Sequence, residues 1–330
     1  MLSEVYNRLA ARMGKKVSWE KNIGSMTTYR VGGAASVFVS IQSLEDLQVL
    51  ASVLNEMDYK GPFLVMGKGS NLLVADDGFK GVAITLGPAF SRFGFPGSPH
   101  GDIIPQALND CNEPWGSRVK LRAGSALALP ALARKALSEG FLGAEWCVGV
   151  PGSVGGGVRM NAGGHGSDMA SMLDGCLLFK LDDGGLEYRP VDDMNLSYRS
   201  SNIMSYEVVV SADIWLVRGD PAEGRRHIAE IVRWRREHQP GGSNAGSVFV
   251  NPEMEAAGSL IERSGLKGMR IGTAQVSTKH ANFIQVDDHG SADDVYGLMC
   301  YVAESVKDKF GVELRTEVQL AGFSNGLSRK

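Results

Sequence analysis

Short β-type runs alternate with helical stretches along the first two thirds of the chain. Ser43 followed by Asp46 is a capping-box arrangement, and the apolar residues after it recur at helical spacing. A second helix is predicted over residues 129–138, where Pro130 lies in the first turn and Gly140 follows the last. Apolar runs that end at glycine or a polar turn predict strands. These runs are residues 36–41, 63–66, 82–86, 119–122 and 207–216.

The pattern changes near residue 218, where a new unit is predicted to begin. Its predicted elements are a helix over 225–237, a glycine-rich loop over 241–246, a helix over 255–264, a strand over 282–286 and a last helix capped by Ser291 and Asp294. The sequence therefore predicts an α+β fold that ends in a separate α/β unit.

Composition and charge narrow the class of protein. A chain of 330 residues is long enough for two or three packed units, because single cores rarely grow past roughly 250 residues. The mean hydropathy of -0.08 and the net charge of -3 argue against a membrane protein and against a nucleic-acid-binding face. The first residues lack the pattern of a signal peptide. We therefore expect a cytoplasmic protein with no nucleic-acid or membrane partner.

Cysteine and histidine spacing gives no sign of a metal site. The four cysteines, Cys111, Cys147, Cys176 and Cys300, are far apart and form no C-x-x-C pair. We expect four reduced thiols and no bound metal.

Two glycine-rich loops are candidates for binding a phosphorylated cofactor. Residues 67–72 (GKGSNL) follow a predicted strand, and converging backbone N–H groups there could bind a pyrophosphate, although a tight structural turn is the alternative. Residues 149–157 (GVPGSVGGG), continued by 161–163, offer side-chain-free backbone. The loops lack a Rossmann fingerprint. They suggest a dinucleotide lying between two α+β subdomains, with flavin more natural than a freely exchanging nicotinamide, although composition alone does not distinguish the two.

Three polar residues could carry chemistry, and each has a simpler explanation. Arg199 lies beside hydroxyls and could bind a carboxylate, or it could form a surface ion pair. Ser247 could donate a proton, or it could be a turn residue; the G-x-S-x-G pattern of a hydrolase is absent. Glu317 alternates with apolar neighbours, as an outward-facing strand carboxylate would. The polar stretch 93–117 is expected to be a solvated loop.

Taken in order, seven blocks of the sequence resemble the UDP-N-acetylenolpyruvoylglucosamine reductases, the flavoproteins commonly called MurB. The resemblance implies an FAD-binding region of the vanillyl-alcohol-oxidase type, divided into subdomains 1–86 and 87–217, and a substrate-binding domain over 218–330. The short interval between Arg199 and Ser247 resembles the form of the family that lacks an extra tyrosine-bearing loop. The blocks are residues 27–33, 67–73, 150–163, 198–201, 245–252, 265–282 and 313–323.

The same resemblance implies a role for individual residues. Ser247 matches the serine that protonates the reaction intermediate, and Arg199 and Glu317 match the residues beside the enolpyruvyl group. Substrate contacts are implied for Tyr198, Asn251, His280 and either Arg235 or Arg236. FAD contacts are implied for Tyr29, Arg30, Gly67, Lys68, Gly69, Ser70, Asn71, Leu72, Gly149, Val150, Pro151, Gly152, Val154, Gly155, Gly156, Arg159, Asn161 and Gly163.

The resemblance implies an enzyme that uses NADPH and bound FAD to reduce UDP-N-acetylglucosamine enolpyruvate to UDP-N-acetylmuramate, a peptidoglycan precursor. Its partners would be these small molecules, and we expect a monomer. Two alternatives stay open. An oxidase of the same fold would consume oxygen, and a sugar-nucleotide-binding regulator would have lost one of the three candidate catalytic residues.

Overall fold

The structure is a computed structural model that describes residues 1–96 and 113–323. Its helices are α1 (Leu2–Met13), α2 (Leu44–Glu56), α3 (Leu129–Ser138), α4 (Val154–Arg159), α5 (Pro221–His238), α6 (Ala257–Arg263) and α7 (Ala292–Phe310). Its strands are β1 (Val17–Asn22), β2 (Ala34–Ile41), β3 (Phe63–Met66), β4 (Leu72–Val74), β5 (Phe79–Leu86), β6 (Phe93–Gly94), β7 (Arg118–Gly124), β8 (Phe141–Leu142), β9 (Gly163–Gly164), β10 (Ser167–Asp168), β11 (Leu173–Lys180), β12 (Leu186–Pro190), β13 (Glu207–Arg218), β14 (Arg270–Ile271), β15 (Ala274–Val276), β16 (Ile284–Val286) and β17 (Gln319–Ala321).

The predicted elements are confirmed, with shifts at their ends. Helix α3 spans the predicted 129–138, and the Ser43 and Ser291 hydroxyls cap α2 and α7 as predicted. Helix α5 begins at Pro221 instead of 225, since proline suits a first helical turn. The second glycine-rich loop differs more, because α4 forms inside it. The Ser153 hydroxyl accepts from the Gly156 N–H, and Val154 and Val158 are buried together, which offsets the cost of three helical glycines.

The described chain forms two compact units. Unit 1 comprises Met1–Trp19, Val37–Lys68 and Gly81–Trp234, and unit 2 comprises Glu20–Ser36, Gly69–Lys80 and Arg235–Lys330. The α+β class is confirmed. The proposed subdomain bounds at residues 86 and 217 are not tested by these units and stay a prediction.

Unit 1 is built around β13, a long strand that is buried on both faces over most of its length. A four-stranded sheet has the order β1-β2-β5-β3, and a larger sheet has the order β12-β11-β13-β7-β6 with β8 on β13. On β13, Val208 and Val210 belong to the core with α1 and α2, whereas Ile214 and Leu216 belong to the core with α3. The predicted apolar run 207–216 therefore contributes side chains to both cores. Each fully buried aliphatic side chain stabilises the fold by roughly 1.5–3 kcal/mol.

A buried ion pair crosses the larger sheet of unit 1. Arg122 on β7 lies opposite Asp213 on β13, and its Nε and Nη2 donate to the two carboxylate oxygens over 2.6 and 2.8 Å. Arg122 is 1% and Asp213 4% exposed. Removing one partner would leave an uncompensated buried charge, which is strongly destabilising.

Unit 2 packs α6 and α7 against a small sheet of the order β14-β15-β16. A second pairing joins β4 in parallel to β17, which ties residues 72–74 to the last described strand. Gly32 has a φ of 104°, and a Cβ there would lie 2.1 Å from the Val74 carbonyl oxygen. Only glycine allows this close backbone approach at the entry to the unit.

The sequence predicts no membrane span, no metal site and reduced cysteines, and it predicts a solvated loop over residues 93–117. No helix within residues 1–96 and 113–323 is long and apolar enough to cross a membrane. The same residues contain no cluster of three potential metal ligands, and Cys147, Cys176 and Cys300 are free thiols. Most of the polar stretch 93–117, including Cys111, lies outside the described residues.

Candidate functional sites in the two units

Unit 1 contains a partly open cavity at the end of β3. Backbone forms much of its wall, because Gly67 and Gly156 are packed around Ser153. A Cβ on Gly67 would lie 2.3 Å from Ser153 Oγ, whereas a Cβ on Gly156 would have room, at 3.5 Å from that atom. The lining residues are Val65, Met66, Gly67, Lys68, Leu86, Ser125, Ala126, Ser153, Gly155, Gly156, Arg159, Glu207 and Val209.

Besides Ser153, two buried polar residues line this cavity. Ser125 is 3% exposed, and no described residue offers its hydroxyl a hydrogen bond. Glu207 is 5% exposed, and its carboxylate accepts from Arg189 Nη2 over 2.6 Å and from the Met204 N–H over 2.7 Å. A buried hydroxyl without a partner is rare in folded proteins, so the Ser125 hydroxyl is available to a ligand in the cavity.

Arg159 ends α4 at the edge of the same cavity. Its Nη1 donates to the Met204 carbonyl over 2.8 Å, and burial lowers the pKa of the guanidinium, an effect that the nearby Glu207 carboxylate opposes. The charge is still permanent, since an arginine in a protein does not deprotonate. The cavity therefore combines glycine backbone, apolar walls and two cationic residues, Lys68 and Arg159, which suits a cofactor with phosphate and ring parts.

Arg199 lies at the tip of a two-residue turn in unit 1. Ser197 and Ser200 exchange two backbone hydrogen bonds of 3.1 Å, and Arg199 has a φ of 58°. Its Nη2 donates to the Gly163 carbonyl over 2.8 Å, and its guanidinium lies 4.8 Å from the centre of the exposed Tyr198 ring. A left-handed conformation costs a non-glycine residue roughly 1–3 kcal/mol and is often kept at functional sites.

Asn161 holds this turn from the second glycine-rich loop. Its Nδ2 donates to the Ser197 carbonyl over 3.0 Å, and its Oδ1 accepts from the Ala170 N–H over 2.9 Å. Asn161 is 4% exposed, so both ends of its amide are bound inside the protein. The predicted cofactor residues Asn161 and Gly163 thus also support Arg199.

The predicted cofactor residues Tyr29 and Arg30 differ in exposure. Tyr29 is fully buried in the core of unit 2, and this burial raises the pKa of its phenol. No described residue forms a hydrogen bond of ordinary geometry with its phenol oxygen. Arg30 is exposed, with a φ of 61°. Of the pair, Arg30 is the one accessible to a ligand in this conformation.

The first glycine-rich loop reaches the carboxyl-terminal segment of unit 2 through Asn71. Asn71 Nδ2 donates to the Glu317 carbonyl over 2.9 Å, and the Asn71 carbonyl accepts from the Gln319 N–H over 3.0 Å. The backbone of Glu317 is also bound on its other side, where its N–H donates to the Val248 carbonyl over 2.8 Å. Ser247 therefore lies in a segment paired directly with the one that carries Glu317.

A second cavity, of about 490 Å³, lies within unit 2 and brings Ser247, Asn251 and His280 together. No described residue forms a hydrogen bond with the Ser247 hydroxyl. Polar and charged side chains dominate its wall, among them Lys279, which the sequence predictions did not single out. The lining residues are Ser247, Asn251, Ala256, Gly258, Ser259, Glu262, Arg263, Lys279, His280, Ala281 and Asn282.

The predicted substrate residues differ in how far they are already engaged. His280 Nδ1 accepts from the Asn282 N–H over 3.2 Å, so the neutral ring carries its proton on Nε2. Burial lowers the pKa of His280, which favours this neutral form. Asn251 Oδ1 accepts from the Ala257 N–H at the start of α6, which leaves its amide nitrogen for a ligand.

The two arginines at the end of α5, Arg235 and Arg236, differ in environment. Arg235 is half-buried, its pKa is lowered by burial, and its Nε donates to Gln239 Oε1 over 2.8 Å. Arg236 is exposed, and its carbonyl accepts from Lys279 Nζ over 2.5 Å. The only sequence signal for Lys279 was its place inside the matching block 265–282.

Comparison with known proteins gives consistent matches along the whole chain. The family profile described as UDP-N-acetylenolpyruvoylglucosamine reductase, C-terminal domain, matches residues 238–321. The chain is 34% identical to UDP-N-acetylenolpyruvoylglucosamine reductase 1 of Bacillus cereus over 97% of this chain and 100% of the relative. It is 33% identical to the reductase of Bacillus subtilis over 97% and 99%, respectively.

A solved structure has the same fold. The crystal structure of UDP-N-acetylenolpyruvylglucosamine reductase from Thermus caldophilus superposes with a TM-score of 0.73 and 30% identity. The match covers 92% of this chain and 98% of that one.

Proposed function

The chain belongs to the UDP-N-acetylenolpyruvoylglucosamine reductase family, and we infer that it reduces UDP-N-acetylglucosamine enolpyruvate to UDP-N-acetylmuramate, using FAD and NADPH. The observation that carries this inference is the match over nearly the full length of its relatives, together with the presence of all three candidate catalytic residues. We propose that it acts in the cytoplasm as a monomer.

The unit 1 cavity is the proposed FAD site. Gly67, Lys68, Gly155 and Gly156 would place backbone against the cofactor, and the unpartnered Ser125 hydroxyl would gain a hydrogen-bond partner. Bound FAD would supply hydride transfer between NADPH and the enolpyruvyl double bond. The other loop residues, with Tyr29 and Arg30, keep the cofactor role that the resemblance implies.

Arg199 is proposed to bind the substrate carboxylate and to offset the charge that develops on it. The Gly163 carbonyl and the Tyr198 ring hold the guanidinium, so little reorganisation is needed when charge appears. Loss of one such donor from an anion site costs roughly 3–4 kcal/mol of transition-state stabilisation.

Ser247 is proposed to donate the proton that completes the reduction. Its hydroxyl lies in the unit 2 cavity, and its segment is paired with that of Glu317. A positioned general acid contributes about a hundredfold or more. Glu317, if protonated in the closed site, would donate a further hydrogen bond to the developing charge.

The unit 2 cavity is proposed to bind the sugar nucleotide. Asn251 would donate through its free amide nitrogen and His280 through Nε2, while Lys279 in the wall would supply cationic charge for the diphosphate. Arg235, which is not part of this wall, keeps the diphosphate role that the resemblance implies. Tyr198 is proposed to contact the substrate beside Arg199.

The proposed reaction is tested by mixing anaerobic, NADPH-treated protein with UDP-N-acetylglucosamine enolpyruvate. We expect NADPH to bleach the flavin absorbance and the substrate to restore it rapidly without oxygen. One UDP-N-acetylmuramate should form for each flavin that is reoxidised. An absorbance that returns only when air is admitted would contradict the proposal and favour an oxidase.

A further inference from the structure

The segment that carries Ser247 is bound along both edges, but only one edge meets another extended segment. On that edge the Val248 carbonyl accepts from the Glu317 N–H over 2.8 Å, and the Val250 N–H donates to the Arg315 carbonyl over 2.9 Å. These two bonds flank a single antiparallel bridge between Phe249 and Thr316.

Asn282 takes the place of a strand on the opposite edge. Its own carbonyl accepts from the Val248 N–H over 2.8 Å. Its side chain then binds both backbone groups of Phe249, since Oδ1 accepts from the N–H over 3.0 Å and Nδ2 donates to the carbonyl over 2.8 Å. One residue therefore makes three hydrogen bonds with two consecutive residues that directly follow Ser247.

Asn282 is itself fixed. It is 3% exposed, its N–H donates to His280 Nδ1 over 3.2 Å, and Phe283 closes the same turn through a 3.0 Å bond to the His280 carbonyl. A buried amide with both ends bound is rigid, because breaking either bond leaves an unpaired polar group.

The chain before Ser247 is held by other contacts. Asn244 Oδ1 accepts from the Gly246 N–H over 3.0 Å, Ala245 is buried, and the Ser243 carbonyl accepts from the Val286 N–H over 3.1 Å. On the carboxyl side, Asn282 and the Arg315–Glu317 stretch hold residues 248–250. Asn282 therefore contributes to the position of Ser247 from that side.

We propose that Asn282 is a positioning residue for the reaction: its side-chain amide holds the backbone of Phe249 and so fixes where the Ser247 hydroxyl delivers its proton. This inference rests on the proposed role of Ser247. It requires an amide, because aspartate lacks the donor for the Phe249 carbonyl and glutamine is one methylene longer.

The kinetic test measures two half-reactions of FAD-loaded protein, flavin reduction by NADPH and anaerobic reoxidation by saturating UDP-N-acetylglucosamine enolpyruvate. For Asn282→Ala we expect reoxidation to slow about tenfold to a hundredfold, since a misplacement of about 1 Å can cost a hundredfold. Reduction by NADPH should stay within a factor of about two of the unchanged protein, as expected for a residue that acts through the proton donor. Equal slowing of both half-reactions would overturn the proposal.

Asn282→Asp provides the second variant if the alanine variant does not fold. It has nearly the same shape and keeps an oxygen for the Phe249 N–H, but it cannot donate to the Phe249 carbonyl as a carboxylate. The control is Gln275→Ala, because Gln275 also donates from a side-chain amide to a backbone carbonyl in unit 2, that of Gly268. The control should leave both half-reactions unchanged, and a reoxidation rate as slow as in the Asn282 variants would overturn the proposal.

The double variant Ser247→Ala/Asn282→Asp distinguishes this inference from the proposed function. If Asn282 acts through Ser247, the double variant should reoxidise no more slowly than Ser247→Ala alone. Independent, multiplying effects would overturn the positioning role. A fast Ser247→Ala variant would instead contradict the proposed function, whatever the Asn282 variants do.

Amide hydrogen exchange of the segment 247–250 gives a readout that does not depend on activity. The Phe249 N–H should exchange at least about tenfold faster in Asn282→Ala, because its acceptor is removed. Unchanged exchange in that variant would overturn the proposal.

Discussion

The two cavities differ in what forms their walls. In unit 1, glycine backbone and apolar side chains surround a few buried polar groups, whereas in unit 2 lysine, arginine, glutamate and histidine side chains line the wall. Backbone can lie flat against a large rigid group at no cost in side-chain freedom, and charged side chains can match a charged ligand. The comparison suggests that the first cavity is shaped for a resident cofactor and the second for a substrate that comes and goes.

The polar residues of the two units are also held differently. Arg199 in unit 1 is presented by a turn in which its φ is 58°, while Ser247 in unit 2 directly precedes Val248 and Phe249, whose backbone is bound by Asn282. In both units a buried asparagine binds the supporting backbone, Asn161 at Ser197 and Asn282 at Phe249. Rigid support for a reacting group thus comes from satisfied amides more than from regular secondary structure.

The largest effect is expected from Arg199→Ala. We expect flavin reoxidation by substrate to slow several-hundredfold, since a lost anion donor costs roughly 3–4 kcal/mol. Reduction by NADPH should change far less, as measured by stopped-flow absorbance. Arg199→Lys serves as the matched control, because it keeps the charge without the planar two-bond geometry. Its reoxidation rate should lie between those of the unchanged protein and of Arg199→Ala. An unchanged reoxidation rate in Arg199→Ala would contradict the proposed role of Arg199 in binding the substrate carboxylate.

A smaller effect sharpens the assignment of the unit 1 cavity. Gly156→Ala has room in the protein alone, because the nearest atom to its Cβ, Ser153 Oγ, is 3.5 Å away, but its methyl enters the cavity. We expect FAD affinity to fall about tenfold, since overpacking costs roughly 1–3 kcal/mol. Affinity is measured by titrating FAD into the stripped protein.

The control for this variant is Gly297→Ala on α7, whose Cβ would meet nothing within 4 Å. It should leave FAD affinity unchanged and raise stability by about 0.5–1 kcal/mol, because alanine favours a helix interior over glycine. Equal FAD affinity in both variants would argue against this cavity as the cofactor site.

The smallest effect concerns His280 in unit 2. Burial lowers its pKa, so the unfolded chain binds this proton more tightly than the folded protein does. Stability from the neutral ring is therefore present above the ordinary histidine value and is lost as pH falls towards the lower folded pKa. We expect His280→Gln to flatten the decline in unfolding free energy between pH 7 and 5.5, measured by urea denaturation. The exposed His227→Gln is the control, and an equal flattening there would contradict this assignment.

The sequence predicted local structure better than it predicted the cavity walls. Ser43 and Ser291 marked their helices because capping is a short-range interaction, and the apolar run over 207–216 marked β13. Helix α4 was missed because three glycines outweighed the cap at Ser153 and the buried pair Val154 and Val158. That balance depends on tertiary packing, which sequence periodicity does not contain.

The candidate site was predictable only where the sequence carried a recognisable block. Ser247, Asn251 and His280 were named from such blocks, and one cavity contains all three. Ser125 and Glu207 of unit 1 lie in segments without any glycine motif, and only the folded chain places them at the cavity of Gly67 and Gly156. Both residues are buried, and Ser125 lacks a hydrogen-bond partner whereas Glu207 has several. A linear sequence pattern shows neither burial nor hydrogen bonding.

The most direct test of the account is the pair of half-reactions measured for Ser247→Ala with bound FAD. The account predicts that NADPH bleaches the flavin at nearly the normal rate, while its reoxidation by UDP-N-acetylglucosamine enolpyruvate slows at least about a hundredfold. Equal slowing of both steps, or a normal rate for both, would contradict the assignment of Ser247 as the proton donor.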